Sequence, residues 1–264
     1  MKRGRLINNK SGQLAIFVIA AIVIVGIAAM VYLLFPSVLV DLGIVSGNPN
    51  AFIQNCIEEE IQNNVDKISL QGGSLEPENF ILYQDNKIEY LCYNGNYYLP
   101  CVMQQPLLKQ HIENEIRKGI KNQEDFCFDS LKESFEQRGY DVSLSQGETF
   151  IELLPKKISV NFEKELTLTQ GGESQRFEKI NIVSDNNLYE LTSIANSILN
   201  WEARYGDSET TLYMSYYPDL KVEKKVQSEG STIYILTDRN SGDKFQFASR
   251  SVALPPGIAI GGVV

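Results

Sequence analysis

Apolar residues near the start of the chain form one long uncharged run. It extends from Leu14 to Phe35 and covers 22 residues. A helix rises about 1.5 Å per residue, so this run reaches about 33 Å and can cross a hydrocarbon core of about 30 Å. A cleavable secretory signal has a shorter apolar region, of about 7 to 15 residues. The pattern therefore predicts a transmembrane helix at residues 13–35.

Further along, apolar residues recur at three- and four-residue steps, which is typical of amphipathic helices. The first such helix starts at Pro49, with Asn48 as its cap, and extends to Leu70, where "QGGS" ends it. A second helix follows Pro106 and continues to Ile120. A third covers Phe126 to Phe135 and ends at Gly139, and a fourth covers Asn187 to Tyr205.

Elsewhere the apolar positions alternate, or cluster as β-branched and aromatic residues, which predicts strands. Three short strands are expected in "FILYQ", "KIEYLCY" and "YYLPCVM". An antiparallel meander is expected in "TFIELL", "KISVNFEKELTLT" and "QRFEKINIV", and a hairpin in "STIYILTDRNSGDKFQFASRSV". The predicted fold is α+β: one N-terminal transmembrane helix, then an ectodomain of about four helices with antiparallel sheets and hairpins.

Charge gives this arrangement an orientation. All charged residues before the apolar run are basic, namely Lys2, Arg3, Arg5 and Lys10. The positive-inside rule then predicts a cytoplasmic N-terminus and an extracytoplasmic C-terminal domain. The expected organisation is a basic cytoplasmic segment at 1–12, the transmembrane helix at 13–35, a stalk at 36–48, an α+β domain at 49–251 and an apolar tail at 252–264.

The expected ectodomain is acidic. Residues 36–264 carry 20 Lys and Arg against 33 Asp and Glu, a net charge of −13. Such a surface repels nucleic acid, so no nucleic-acid partner is expected. The expected partners are the lipid bilayer, through residues 14–35, and protein partners or further copies of the chain at the cell surface.

Four cysteines follow the apolar run: Cys56, Cys92, Cys101 and Cys127. An even number in an exported domain predicts two disulfides. We favour Cys56 with Cys127, which would join two helices, and Cys92 with Cys101, which flank "YNGNYYLP". A two-residue Asn94-Gly95 turn would instead place Tyr97 opposite Cys92, so this pairing requires a longer loop. The chain has no C-x-x-C pair and a single histidine, which argues against zinc; no metal or cofactor is expected.

Candidate catalytic groups are sparse. His111 lies in a charged helical stretch, where a solvated position is favoured over catalysis. Ser241 and Lys244 have the spacing of a Ser/Lys dyad but fall in the predicted hairpin loop. In "TDRNSGD" the glycine stands one position early for a calcium loop, which favours a turn. No catalytic residue is therefore predicted.

Tyrosines are frequent in or beside the predicted strands, and they form the last candidate feature. They fit a recognition surface and equally an ordinary strand composition. The residues concerned are Tyr90, Tyr93, Tyr97, Tyr98, Tyr213, Tyr216 and Tyr217. The uncharged tail at 252–264 leaves a similar choice between docking on its own domain and contacting a neighbouring molecule.

Two resemblances add to this picture. "KSGQLAIFVIAAIVIVGIAAM" resembles the class III signal of archaeal prepilins and pre-archaellins, which implies a peptidase cut between Gly12 and Gln13. Ser11 and Phe17 depart from that pattern, where a basic residue and a glutamate are usual. "NCIEEEIQNNVDKISLQGGSL" and "DRNSGDKFQFASR" are similar to uncharacterised single-pass surface membrane proteins of small archaea, a resemblance that implies a location and no activity.

We expect a membrane-anchored cell-surface protein with a structural, adhesive or partner-binding role and no catalysis. The first alternative is a type IV pilin-like filament subunit, processed after Gly12 and assembled through its apolar helix. The second is an exported hydrolase, which would need a deep pocket holding its catalytic groups about 3 Å apart.

Overall fold

The computed structural model describes residues 48–255, which fold as an α+β structure. Its helices are Pro49–Leu70 (α1), Leu108–Gln137 (α2), Leu188–Tyr205 (α3) and Thr211–Tyr216 (α4). Its strands are Phe80–Tyr83 (β1), Asn86–Tyr93 (β2), Val102–Met103 (β3), Asp141–Leu144 (β4), Thr149–Leu154 (β5), Lys157–Phe162 (β6), Leu166–Gln170 (β7), Glu173–Phe177 (β8), Ile180–Asp185 (β9), Leu220–Val226 (β10), Thr232–Asp238 (β11) and Lys244–Arg250 (β12). The chain divides into two compact units, Met1–Phe52 and Ile53–Val264. The sheets and sites all belong to the second.

Several predictions fall outside the described residues. They concern the basic segment, the transmembrane helix at 13–35, the processing residues Gly12 and Gln13, and most of the stalk and tail. Within residues 48–255, no helix has both the length and the apolar character that crossing a bilayer requires.

A six-stranded sheet forms the larger β layer, with the strands in the order β1-β2-β12-β11-β10 and β3 added beside β2. Its pairs are antiparallel, except that β12 runs parallel to β2. Two three-stranded antiparallel sheets, β4-β7-β8 and β5-β6-β9, complete the β structure. The α+β fold with mostly antiparallel sheets is as predicted.

Helix α1 has the predicted bounds. The Asn48 side chain accepts a hydrogen bond from the backbone N–H of Asn50, at 3.0 Å, and Pro49 occupies the first helical position. At the other end, Gly72 and Gly73 take positive φ angles of 81° and 102°, which glycine adopts without a steric penalty. The helix therefore ends at the "QGGS" stretch.

Helix α2 differs from the prediction, because one continuous helix of 30 residues replaces the two expected ones. The polar stretch between Ile120 and Phe126 suggested a break. In the structure this stretch stays helical: Lys121 pairs with Asp125 one turn further on, at 2.8 Å. The side chain of Glu124 turns inward and meets Lys164, at 2.7 Å.

The predicted meander is also more divided than expected. "KISVNFEKELTLT" forms β6 and β7, and "QRFEKINIV" forms β8 and β9, so these four strands belong to two sheets. Lys164 lies between β6 and β7 and is buried, where it bonds to Glu124 of α2. That inward lysine coincides with the break between β6 and β7.

The final hairpin is as predicted, with β11 and β12 paired from Thr232↔Ser249 to Thr237↔Lys244. Strand β4 was not predicted, and neither were the two elements directly before the hairpin. Strand β10 pairs with β11 at the edge of the sheet, and the short helix α4 carries Tyr213 and Tyr216, which the sequence had suggested for strands. Tyr217 caps that helix.

The disulfides join Cys56 to Cys127 and Cys92 to Cys101, the two pairs that the sequence favours. Cys56–Cys127 ties α1 to α2, while Cys92–Cys101 closes the loop between β2 and β3. The Asn94 amide holds this loop open beyond a two-residue turn, because it donates to the carbonyl of Pro100, at 2.8 Å.

The start of the tail contacts the same loop. The backbone N–H of Val252 donates to the carbonyl of Leu99, at 2.8 Å, and Tyr98 N–H donates to the carbonyl of Ala253, at 2.9 Å. The first residues of the tail therefore dock on their own domain.

Candidate functional site

Two features could carry a function: a polar cleft around His111, and a tyrosine-lined groove beside α3. The candidates in the hairpin loop do not form a site. Asp238 there accepts backbone N–H bonds from Asn240 and Ser241, each at 2.9 Å, so the segment is a turn. Ser241 contacts Asn187 rather than Lys244. Among residues 48–255, no cluster of three or more His, Cys, Asp or Glu could hold a metal ion.

His111 contacts a serine, and the prediction of a solvated position is wrong. Its imidazole is half-buried, and Nε2 lies 2.8 Å from the hydroxyl oxygen of Ser74. The same hydroxyl also bonds to a carboxylate oxygen of Glu89. These three side chains, here called the Glu89–Ser74–His111 chain, line a polar cleft of about 700 Å³.

Three separate elements bring this chain together. Ser74 follows the glycine turn after α1, Glu89 lies on β2, and His111 lies in the first turn of α2. Gly72 permits the approach, because a Cβ atom there would come within 2.8 Å of the Glu89 Cβ. Sequence separations of 15 and 37 residues explain why no local motif revealed the cluster.

Burial sets the electrostatics of the cleft. It raises the pKa of Glu89, the carboxylates of Glu115 and Glu78 raise it further, and the Ser74 hydrogen bond opposes the rise. Burial also lowers the pKa of His111, which Glu115 partly offsets. The His111 imidazole therefore favours its neutral form. The Glu89 carboxyl group is harder to ionise than a carboxyl group in water.

The Ser74–His111 distance suits a nucleophile and its base. The carboxylate, however, bonds to the serine and not to the imidazole, which differs from a Ser-His-acid triad. An ionised Glu89 accepts the hydrogen bond of the serine hydroxyl, so the imidazole N–H must then donate to the serine oxygen. Ser74 is moreover only 5% exposed. The three side chains form one hydrogen-bonded chain in an order that differs from that of a catalytic triad.

The second feature is a groove of about 340 Å³ beside α3, here called the aromatic groove. Helix α4 packs on α3. The hydroxyl oxygens of Tyr213 on α4 and Ser197 on α3 lie 2.8 Å apart. The groove is lined by Tyr189, Leu191, Ile194, Tyr216, Tyr217, Pro218 and Leu220, together with Ser193 and three acidic residues. The groove therefore has an apolar floor and walls formed by tyrosine side chains.

The acidic residues of the groove are Glu190, Asp219 and Asp238, which it shares with an adjoining polar cavity of about 560 Å³. One oxygen of Glu190 accepts the backbone N–H of Lys156, at 2.9 Å. The other oxygen is buried without a hydrogen-bond partner in the described part of the chain. The groove thus has negative charge along one edge.

Only some of the tyrosines noted in the sequence lie at this groove. Tyr216 and Tyr217 line it, and Tyr213 joins α4 to α3 through its contact with Ser197. Tyr90 is instead buried in the main sheet and bonds to Ser231, at 2.8 Å, and its ring packs edge-on against Tyr93. Tyr97 and Tyr98 lie in the disulfide loop. The groove also depends on Tyr189 of α3, which the sequence did not single out.

A buried carboxylate on α3 has a structural role. Glu202 accepts hydrogen bonds from the hydroxyls of Tyr234 and Ser249 on the main sheet. Burial raises the Glu202 pKa, and these two bonds oppose the rise. The Ser251 hydroxyl donates to the Glu202 carbonyl, at 2.9 Å, and accepts from the N–H of Cys101. This network fixes α3 against the sheet and the disulfide loop.

Comparisons with known proteins identify no relative. No protein-family model matches the chain. No curated protein and no solved structure matches it either. The function is therefore argued from the groove, the cleft and the sequence.

Proposed function

We propose that this protein is a membrane-anchored, extracytoplasmic protein that binds a partner at the cell surface. The observation that carries the proposal is the aromatic groove. Tyr216 and Tyr217, exposed by 80% and 55%, present large rigid side chains beside an apolar floor. Tyrosines supply contact area at low entropic cost, and exposed apolar surface of this kind is typical of interaction sites.

The proposed location rests on separate observations. The apolar run at 14–35 is long enough to span a bilayer, and the basic residues before it favour a cytoplasmic N-terminus. Two disulfides, Cys56–Cys127 and Cys92–Cys101, support an oxidising environment for the folded domain.

Binding is favoured over catalysis by the geometry of the cleft. The Glu89–Ser74–His111 chain is the arrangement closest to a hydrolase site among the described residues, and its buried serine is bonded to the carboxylate. An exported hydrolase would require an accessible nucleophile and a base free to take its proton. The cleft therefore gives the hydrolase alternative little support.

The pilin-like alternative rests on the "KSGQLAIF" segment, where processing would fall between Gly12 and Gln13. The intact mass of the protein isolated from its own membranes separates the two proposals. A chain that begins at Met1 supports the anchored protein, whereas a chain that begins at Gln13 supports the filament subunit.

Site-specific crosslinking in native membranes tests partner binding. A photoreactive phenylalanine analogue replaces Tyr217 in one variant and Tyr98 in another. Tyr98 is a matched control because it is also 55% exposed, in the disulfide loop. We expect a discrete crosslinked partner from position 217 that is missing from position 98. No adduct at 217, or the same adducts from both positions, would contradict the proposal.

A further inference from the structure

We propose that the aromatic groove binds a lysine or arginine side chain that a partner protein presents beside apolar residues. The inference rests on the proposed partner-binding function and names the chemistry of that partner. It follows from the tyrosine walls, the carboxylates at the edge and the apolar surface that continues past the groove.

The walls suit a cation. Aromatic rings attract a cation over their faces, and an arginine or lysine can lay its apolar stem on the floor while its charged head stays at the rim. The ring of Tyr189, which lines the groove, already lies near a cation of the protein itself. The ammonium group of Lys109 on α2 lies 5.9 Å from the centre of the Tyr189 ring.

The edge supplies the opposite charge. Asp219 is exposed beside Pro218, and its carboxylate has no hydrogen bond or ion pair to the described residues. The free oxygen of Glu190 adds a buried acceptor. Asp238 also adds a carboxylate, although turn N–H groups occupy one of its oxygens. None of the described residues that line the groove is a lysine or arginine; Lys109, which lies near the Tyr189 ring, lines a neighbouring cavity instead.

The surroundings favour a side chain of a protein over a free organic cation. A volume of about 340 Å³ lies at the lower end of the range for small-molecule pockets, about 300–1,000 Å³. Large apolar side chains continue past the groove on α4, where Leu212 is exposed. A small cation would leave that surface uncovered, whereas a protein segment with apolar residues next to its cation would cover it.

A titration of the full-length protein in lipid nanodiscs tests the inference. The probe is acetyl-Phe-Arg-Leu-amide, and its matched control is the same peptide with citrulline, which keeps the shape of arginine and lacks its charge. The readout is the NMR signal of the Ile194 and Leu220 methyl groups, which line the groove. We expect these signals to shift with the arginine peptide. The citrulline peptide should bind roughly threefold to tenfold more weakly, as expected for one cation–π contact and one exposed ion pair.

Two variants locate the charge effect. Asp219→Asn should remove only part of the advantage of the arginine peptide over the citrulline peptide, because it removes the ion pair and leaves the cation–π contact. Asp85→Asn, in the exposed β1–β2 turn, should leave it unchanged. Equal binding of both peptides, or no shift at all, would overturn the inference. Tetramethylammonium alone binding as tightly as the arginine peptide would also overturn it, in favour of a small-cation site.

The peptide and crosslinking experiments can fail separately. A partner crosslinked from position 217, combined with peptides that bind without regard to charge, leaves partner binding intact and removes the cation. Crosslinking that yields no partner removes the proposed function, and with it this inference about the partner.

Discussion

At the scale of single residues, the Glu89–Ser74–His111 chain shows how strongly burial changes a polar group. A serine hydroxyl contacts both an imidazole and a carboxylate, and the carboxylate has other acidic groups nearby. Burial raises the pKa of Glu89 and lowers that of His111, so both groups resist charge. The chain is an internal link between α1, β2 and α2.

This link predicts the pH dependence of a Glu89→Gln variant. Because the folded-state pKa of Glu89 is raised, its stabilising contribution is complete below the unfolded pKa, about 4.5, and is lost as pH rises through the folded pKa. Glutamine has no carboxyl group to ionise, so the variant does not lose stability in this way as pH rises. We therefore expect its stability relative to the natural protein to improve as pH rises above about 4.5.

Urea unfolding midpoints between acid and neutral pH measure this difference. Glu76→Gln serves as a control, because Glu76 is exposed in the same cleft. A difference between Glu89→Gln and the natural protein that stays constant, or that shrinks with rising pH, would show that burial does not penalise this carboxylate.

At the scale of elements, the sequence predicts what local patterns determine. Helix α1 has its cap, first proline and closing glycines in the sequence, and the β11–β12 hairpin has its alternation and turn residues. Helix α2 instead continues through a polar stretch whose buried carboxylate, Glu124, pairs with Lys164. That lysine lies 40 residues away along the chain. The contacts of Ser74 with His111 and of α4 with α3 are long-range in the same sense, so periodicity could not reveal them.

The buried ion pair between Lys164 and Glu124 gives a second prediction. The two residues are 8% and 1% exposed, and the lysine also lies over the Phe128 ring. Lys164→Met should lower the free energy of unfolding by about 3 kcal/mol, because it leaves the buried carboxylate with only the half-exposed ammonium group of Lys121, 3.7 Å away.

The double variant Lys164→Met, Glu124→Leu should recover most of that loss, since replacing both charges with apolar groups is often neutral. Denaturant unfolding of both variants provides the measurement. Arg176→Met is the control, because its pair with Glu165 is exposed and should contribute at most about 1 kcal/mol. A single Lys164 variant as stable as this control would mean that the buried pair contributes little.

At the scale of the whole molecule, a proposed anchor precedes a domain that two disulfides hold together. The Cys56–Cys127 bond joins two helices across 71 residues of chain, and Cys92–Cys101 closes a loop to which the start of the tail is bonded. These crosslinks fit the proposed location of the domain in an oxidising exterior. In that location the aromatic groove on α3 and α4 would be available to the proposed partner.

The central claim is that this domain lies on the extracytoplasmic side of the membrane. An epitope inserted between Gly171 and Gly172 tests it most directly. These glycines form the turn between β7 and β8, and no atom lies within 4 Å of a Cβ built on either one. We predict that an antibody labels the epitope on intact cells as strongly as after permeabilisation, while an epitope at the N-terminus requires permeabilisation. Labelling of the Gly171–Gly172 epitope only after permeabilisation would contradict the account.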